Sequence, residues 1–146
     1  MIQLRSTSQN HINRGNGDKW KKGGRVMIVD DDFDNLQLTK DVLQWNGFET
    51  YDFINPRLAL HTFKQSPQFF ELVIMDIKLQ EMDGQSLYKE IKQINPDVKV
   101  LVFTGTVLDI DGFKKICPSF DERQVIQKPV RMSSLVKTVN DTMISV

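Results

Sequence analysis

The run Arg25-Val26-Met27-Ile28-Val29-Asp30-Asp31-Asp32 decides how the chain is read. Four apolar residues, Val26 to Val29, lead directly into three acids. A short unbroken apolar run ended by a sharp polar break reads as a strand buried on both faces. Such strands belong to parallel sheets covered by helices. The acids then stand where the strand leaves the sheet, at its carboxyl end, the edge at which open α/β sheets bind ligands. Two carboxylates about 4 Å apart repel by roughly 4 kcal/mol at an effective dielectric near 20. A compensating cation is expected, and a metal ion is the simplest.

The same signature recurs outward from this run. Leu72-Val73-Ile74-Met75 is a second buried strand, also ended by an acid, Asp76. Val98 to Phe103 is a third, ending in Thr104-Gly105, and Val125 to Gln127 is a short last one before Lys128-Pro129. Phe48 to Phe53 alternates aromatic and polar residues, the pattern of an outer strand.

Helical patterns fill the intervals. Asp32 or Asp34 caps a helix reaching Asn46, with Leu36, Val42, Leu43 and Trp45 inward and Gly47 as its stop. Asn55-Pro56 opens a second, with Leu58, Ala59, Leu60 and Phe63 inward, closing before Pro67. A third runs from Met82-Asp83-Gly84 to Ile94 with Leu87, Ile91 and Ile94 on one face. Asp109 to Ile116 is read as helical, with Phe113 and Ile116 inward. Ser133 or Ser134 caps a last helix carrying Leu135, Val136, Val139 and Met143. Five alternations of strand and helix predict an α/β fold: a five-stranded parallel sheet with helices on both faces.

Composition narrows the function. The chain of 146 residues suffices for one domain with a sizeable core. It contains no apolar run long enough for a membrane span, and its N-terminus lacks the apolar segment of a signal peptide. One cysteine, Cys117, makes no internal disulfide and no zinc cluster, which favours a reducing cytoplasm. Net charge is zero, but residues 1–25 hold six Arg and Lys against Asp18 alone, so the remainder is acidic by five. The domain therefore lacks the basic footprint of direct nucleic-acid binding. Residues 1–24 are polar and glycine-rich without apolar period, and are expected to form a flexible arm, Trp20 being its one docking candidate. The domain proper is expected over residues 25–146. His11 and His61 are read as surface residues.

Parallel strands that end at one edge bring their terminal residues together. That edge would hold Asp30, Asp31 and Asp76, the Thr104 hydroxyl and the Lys128 ammonium. Carboxylates and a backbone carbonyl are hard oxygen ligands, suited to Mg²⁺ rather than zinc. An aspartate can attack a phosphoryl group and form an aspartyl phosphate. Phosphoryl transfer needs in-line positioning and cations on the equatorial oxygens. Asp76, alone at the central strand, is the natural nucleophile, with Asp30 and Asp31 serving the metal.

Ile28-Val29-Asp30-Asp31, Val73-Ile74-Met75-Asp76 with Met82-Asp83-Gly84 downstream, Val102-Phe103-Thr104-Gly105 and Gln127-Lys128-Pro129 stand in the order and at the spacings of response regulator receiver domains. The resemblance covers about residues 25–146. It implies a flavodoxin-like sheet of order 2-1-3-4-5. It further implies that Asp76 accepts a phosphoryl group from the phosphohistidine of a sensor histidine kinase or a phosphotransfer protein. Asp31 would bind Mg²⁺ directly, Asp30 would support it through water, and the Lys78 carbonyl would be a third ligand beside Asp76. Lys128 would pair with the phosphoryl group, and Thr104 would swing toward it to alter a surface that a downstream protein target reads. Lys128-Pro129 would be cis, and Asp83-Gly84 a tight turn that only glycine allows. The chain departs from the family at Gln80, where proline is common, and at Val125, where a tyrosine or phenylalanine usually turns inward with the threonine.

The expectation is thus a stand-alone switch, not a multiple-turnover enzyme. Two other classes share parts of this pattern. One is a pseudo-receiver acting only as an interaction module; the other is an aspartyl phosphatase, whose cap insertions this chain lacks. An EF-hand reading of Asp30-x-Asp32-x-Asp34 fails for want of a glycine at the sixth position and a glutamate at the twelfth.

Overall fold

The computed structural model describes residues 23–144. Of the expected arm only Gly23 and Gly24 fall within them. The strands are β1 (Arg25–Val29), β2 (Glu49–Phe53), β3 (Leu72–Asp76), β4 (Lys99–Thr104) and β5 (Val125–Gln127). The helices are α1 (Phe33–Trp45), α2 (Pro56–Gln65), α3 (Gly84–Ile94), α4 (Ile110–Ile116) and α5 (Met132–Ile144), with one 3₁₀ turn at Glu122–Gln124. All strand pairs are parallel, in the order β2-β1-β3-β4-β5.

The apolar runs pack as their alternation requires. In β1, Val26 and Ile28 face one helical layer while Met27 and Val29 face the other. In β3 the division is Leu72 and Ile74 against Val73 and Met75, and in β4 Leu101 and Phe103 against Val100 and Val102. The first set packs on Leu36, Val42 and Leu43 of α1 and on Leu135 and Val139 of α5. The second packs on Ala59, Leu60 and Phe63 of α2, Leu87, Tyr88 and Ile91 of α3, and Phe113 of α4. Each large aliphatic or aromatic side chain so buried contributes roughly 1.5–3 kcal/mol.

Three inward expectations fail, for one geometric reason. Trp45 is 79% exposed and Leu38 is also exposed, because residues 34, 38, 41 and 45 form the outer stripe of α1 while 36 and 43 form the inner one. Leu58 and Ile116 lie on the outer sides of their helices, the latter 47% exposed. Ser133 and Ser134 do not cap α5: the helix starts at Met132, Leu135 N–H bonds Arg131 O at 2.9 Å, and the serines occupy the first turn. Starting there brings Leu135 and Val139 onto the sheet.

Three start signals hold. Asp32, Asn55 and Asp83 are the N-caps of α1, α2 and α3, each accepting main-chain N–H groups from the first turn. Gly47 adopts φ 91°, the left-handed conformation that ends α1 and turns the chain into β2. The α4 region is held by an aromatic group: Phe113 and Phe120 stack at 3.9 Å and Tyr88 meets both edge-on. Cys117 is buried beneath α4, and burial raises its thiol pKa.

Candidate functional site

The carboxyl ends of the strands carry the predicted residues. Asp30 and Asp31 follow β1, Asp76 ends β3, Thr104 ends β4, and Lys128 follows β5. Main-chain bonds fix these ends in register. Asp30 N–H reaches Phe53 O at 3.0 Å, Ile77 N–H reaches Phe103 O at 2.9 Å, and Lys128 N–H reaches Thr104 O at 2.8 Å. The Lys128-Pro129 peptide is cis.

Asp76 and Lys128, 52 positions apart, meet here: Lys128 Nζ donates to Asp76 Oδ2 at 2.6 Å. A charge-assisted bond this short, between a nearly buried carboxylate and a mostly covered ammonium, is among the stronger polar contacts a protein makes. Each acid also accepts one main-chain N–H. Lys78 N–H bonds Asp76 Oδ1 at 3.1 Å, Asp32 N–H bonds Asp30 Oδ1 at 2.9 Å, and Gln80 N–H bonds Asp31 Oδ2 at 3.1 Å. Among the described residues, the second oxygens of Asp30 and Asp31 accept no protein hydrogen bond.

Asp30 is 3% exposed. Its carboxyl is pushed up to about 6, chiefly by burial and further by the Asp76 charge, against the Asp32 N–H and the Lys128 ammonium. One ammonium thus leaves the acids short of positive charge. The Thr104 side chain is fully buried, and its hydroxyl is engaged in its own loop: it donates to Thr106 O at 2.8 Å and accepts from Thr106 N–H at 3.2 Å. Gln127 Nε2 reaches the same carbonyl at 3.5 Å. The structure therefore brings Asp30, Asp76 and Lys128 into one electrostatic unit, joins Asp31 to the β3–α3 loop, and turns the Thr104 hydroxyl to Thr106.

The donor set fits a hard divalent cation in part. Among the described residues, no three carboxylate, imidazole or thiolate groups stand close enough to hold a metal by themselves. Mg²⁺ does not require that, since it keeps several waters and takes one or two carboxylates. One oxygen each of Asp30 and Asp31, left without a protein hydrogen bond among the described residues, and the Lys78 carbonyl would make up such a set.

Gly84 has a different role from the turn expected of it. A Cβ there would lie 2.7 Å from both Cα and O of Ile77 and 3.0 Å from Asp76 O. Glycine is needed because α3 begins against the main chain that carries Asp76. Gly84 N–H closes the loop on Ile77 O at 3.0 Å. Three participants were not named from the sequence. Two are the main-chain N–H groups of Lys78 and Gln80. The third is Arg57, whose guanidinium donates to Glu81 O at 3.1 Å from the first turn of α2.

The family model of the response regulator receiver domain matches residues 26–140. The chain belongs to that family. This receiver is 32% identical to the chemotaxis protein CheY of Bacillus subtilis (strain 168) over 124 residues, 82% of the chain and 97% of that protein. It is 26% identical to the response regulator receiver protein CpdR of Brucella abortus (strain 2308) over 121 residues, 83% of the chain and 98% of that protein. By contrast, it spans only 18% of the transcriptional regulatory protein ZraR of Escherichia coli (strain K12), at 34% identity over 80 residues. Among solved structures, the CheY-like receiver domain protein of Methanospirillum hungatei JF-1 superposes with a TM-score of 0.73 at 27% identity, covering 82% of this chain and 93% of that one. The receiver is a two-component signalling domain of CheY-like fold, with the strand order expected from its sequence. Among its described residues no helix is long and apolar enough to cross a membrane.

Proposed function

We propose that Asp76 accepts a phosphoryl group from the phosphohistidine of a sensor histidine kinase or phosphotransfer protein. The resulting aspartyl phosphate alters affinity for a downstream protein target or is passed onward in a relay. The observation that carries this reading is the Lys128–Asp76 contact at the meeting of two strand ends.

The chemistry follows from the groups present. An Asp76 carboxylate oxygen forms a bond to phosphorus as the P–N bond of the donor breaks, and the departing imidazole keeps the electron pair and takes a proton from solvent water. Lys128 moves from the carboxylate to a phosphoryl oxygen, keeping its charge beside the group that now bears the negative charge. The main-chain N–H of Lys78, already bonded to Asp76 Oδ1, fixes the carboxylate rotamer. Mg²⁺, held by Asp30, Asp31, Asp76 and the Lys78 carbonyl, would neutralise charge on the phosphoryl oxygens. Asp30 then regains the cation its buried position lacks. Thr104 must release Thr106 O before its hydroxyl can serve a phosphoryl oxygen.

The match over nearly the whole of CheY and CpdR supports a switch in which the receiver itself is the signalling unit. A second reading, a phosphorylation-independent interaction module, draws on the Thr104 hydroxyl being held by Thr106 and on Val125 replacing an aromatic. Incubation with acetyl phosphate and Mg²⁺, followed by phosphate-affinity electrophoresis, separates the two. A shifted band, absent without Mg²⁺ and absent in Asp76→Asn, supports the switch. No band in the wild type supports the interaction module.

A further inference from the structure

We propose that the main-chain N–H of Gln80 is a positioning group for the metal site, and that Arg57 is its anchor. The inference rests on the Mg²⁺ reading above. It adds which part of this chain sets the affinity.

Among the described residues Asp31 is in no ion pair, and its side chain accepts one hydrogen bond, which crosses 49 positions of sequence, from Gln80 N–H to Oδ2 at 3.1 Å. That bond orients the carboxylate with Oδ1 left for a ligand. A proline at position 80, the residue common there in the family, has no N–H and cannot make it. The Gln80 amide is aimed by its loop. Arg57 donates to Glu81 O at 3.1 Å, and its Nε lies 3.8 Å from Glu81 Oε1. Arg57 is itself placed by the Asn55 cap, whose side chain accepts Arg57 N–H at 2.8 Å. At the other end, Gly84 N–H pins the loop to Ile77 O. The loop that bears the Lys78 carbonyl is thus fastened to α2 on one side and to Asp31 on the other. Ordering ligands before binding removes an entropic charge that would otherwise fall on the ion, and partners behind the ligands commonly set metal affinity.

The test is Mg²⁺ titration by isothermal calorimetry of the full chain and of Gln80→Pro, Gln80→Ala and Arg57→Ala. Gln80→Pro is expected to raise the Mg²⁺ Kd about fivefold, the worth of one net hydrogen bond. Gln80→Ala keeps the N–H and should stay close to wild type. Arg57→Ala should raise Kd about twofold while leaving the melting temperature in EDTA unchanged. Should Gln80→Pro misfold, Arg57→Ala against Gln80→Ala carries the comparison. An unchanged or tighter Kd in Gln80→Pro, or an equal loss in Gln80→Ala, overturns the inference while the metal reading stands. Absence of Mg²⁺ binding by the wild type overturns both, a distinguishable result.

Discussion

Replacing Asp30 by Asn should stabilise the protein, and only at pH values where the native carboxyl is ionised. In the folded state this carboxyl titrates at about 6 against an ordinary aspartate value of 3.8, mainly because it is buried. At this position the folded state therefore binds more protons than the unfolded one between roughly pH 4 and 6, and the Asp30 contribution to wild-type stability falls as pH rises through that window. A shift of about two units, at 1.36 kcal/mol each, corresponds to up to about 3 kcal/mol of lost stability above pH 7. Asparagine carries no proton to lose, and its amide oxygen can still accept the Asp32 N–H that Asp30 Oδ1 accepts now. The stability gain of Asp30→Asn should be near zero at about pH 4 and approach about 3 kcal/mol at about pH 7.5, roughly 10 °C in melting temperature for a chain of this size. Urea unfolding of both proteins in EDTA across this range is the assay. A gain that is constant with pH, or a loss at neutral pH, would refute the argument that buried charge is the source of the strain.

Two further outcomes follow from packing. Gly84→Ala places a Cβ against the Ile77 main chain and should cost about 1–3 kcal/mol, checked by thermal unfolding, with weakened Mg²⁺ binding because the same loop carries Lys78. Phe113→Ala removes a fully buried ring stacked on Phe120 and should cost about 3–5 kcal/mol, whereas Trp45→Ala, on the outer stripe of α1, should stay within about 0.5 kcal/mol; equal effects in urea titrations would contradict the assignment of helix faces.

The sheet was legible because its strands are buried on both faces. Val26–Val29, Leu72–Met75 and Val100–Phe103 are continuous apolar runs, and each ends in a polar residue at the same edge. Helix starts were legible where an Asx residue stands before the helix, as at Asp32, Asn55 and Asp83. Helix faces were less so. Trp45, Leu58 and Ile116 are apolar by type, and only their angular positions, set by docking on the sheet, put them outward. Tyr88 and Phe120 show the converse, forming with Phe113 a group whose members come from three separated segments. At the site, side chains of suitable chemistry could be named from strand ends. The main-chain donors could not. Every residue but proline carries an N–H, so nothing in the letters singles out Lys78 or Gln80 as the donor that reaches a carboxylate. The occupation of the Thr104 hydroxyl by Thr106 O is likewise a property of loop conformation, two residues along the same chain.

The central claim concerns one carboxylate. Treating the protein with acetyl phosphate and Mg²⁺, reducing the acyl phosphate with borohydride, and sequencing the peptides by mass spectrometry reads it directly. Homoserine at position 76, and aspartate retained at positions 30 and 31, is the result expected. Reduction at another acid, or unmodified Asp76 under conditions that saturate the protein with Mg²⁺, would contradict the account.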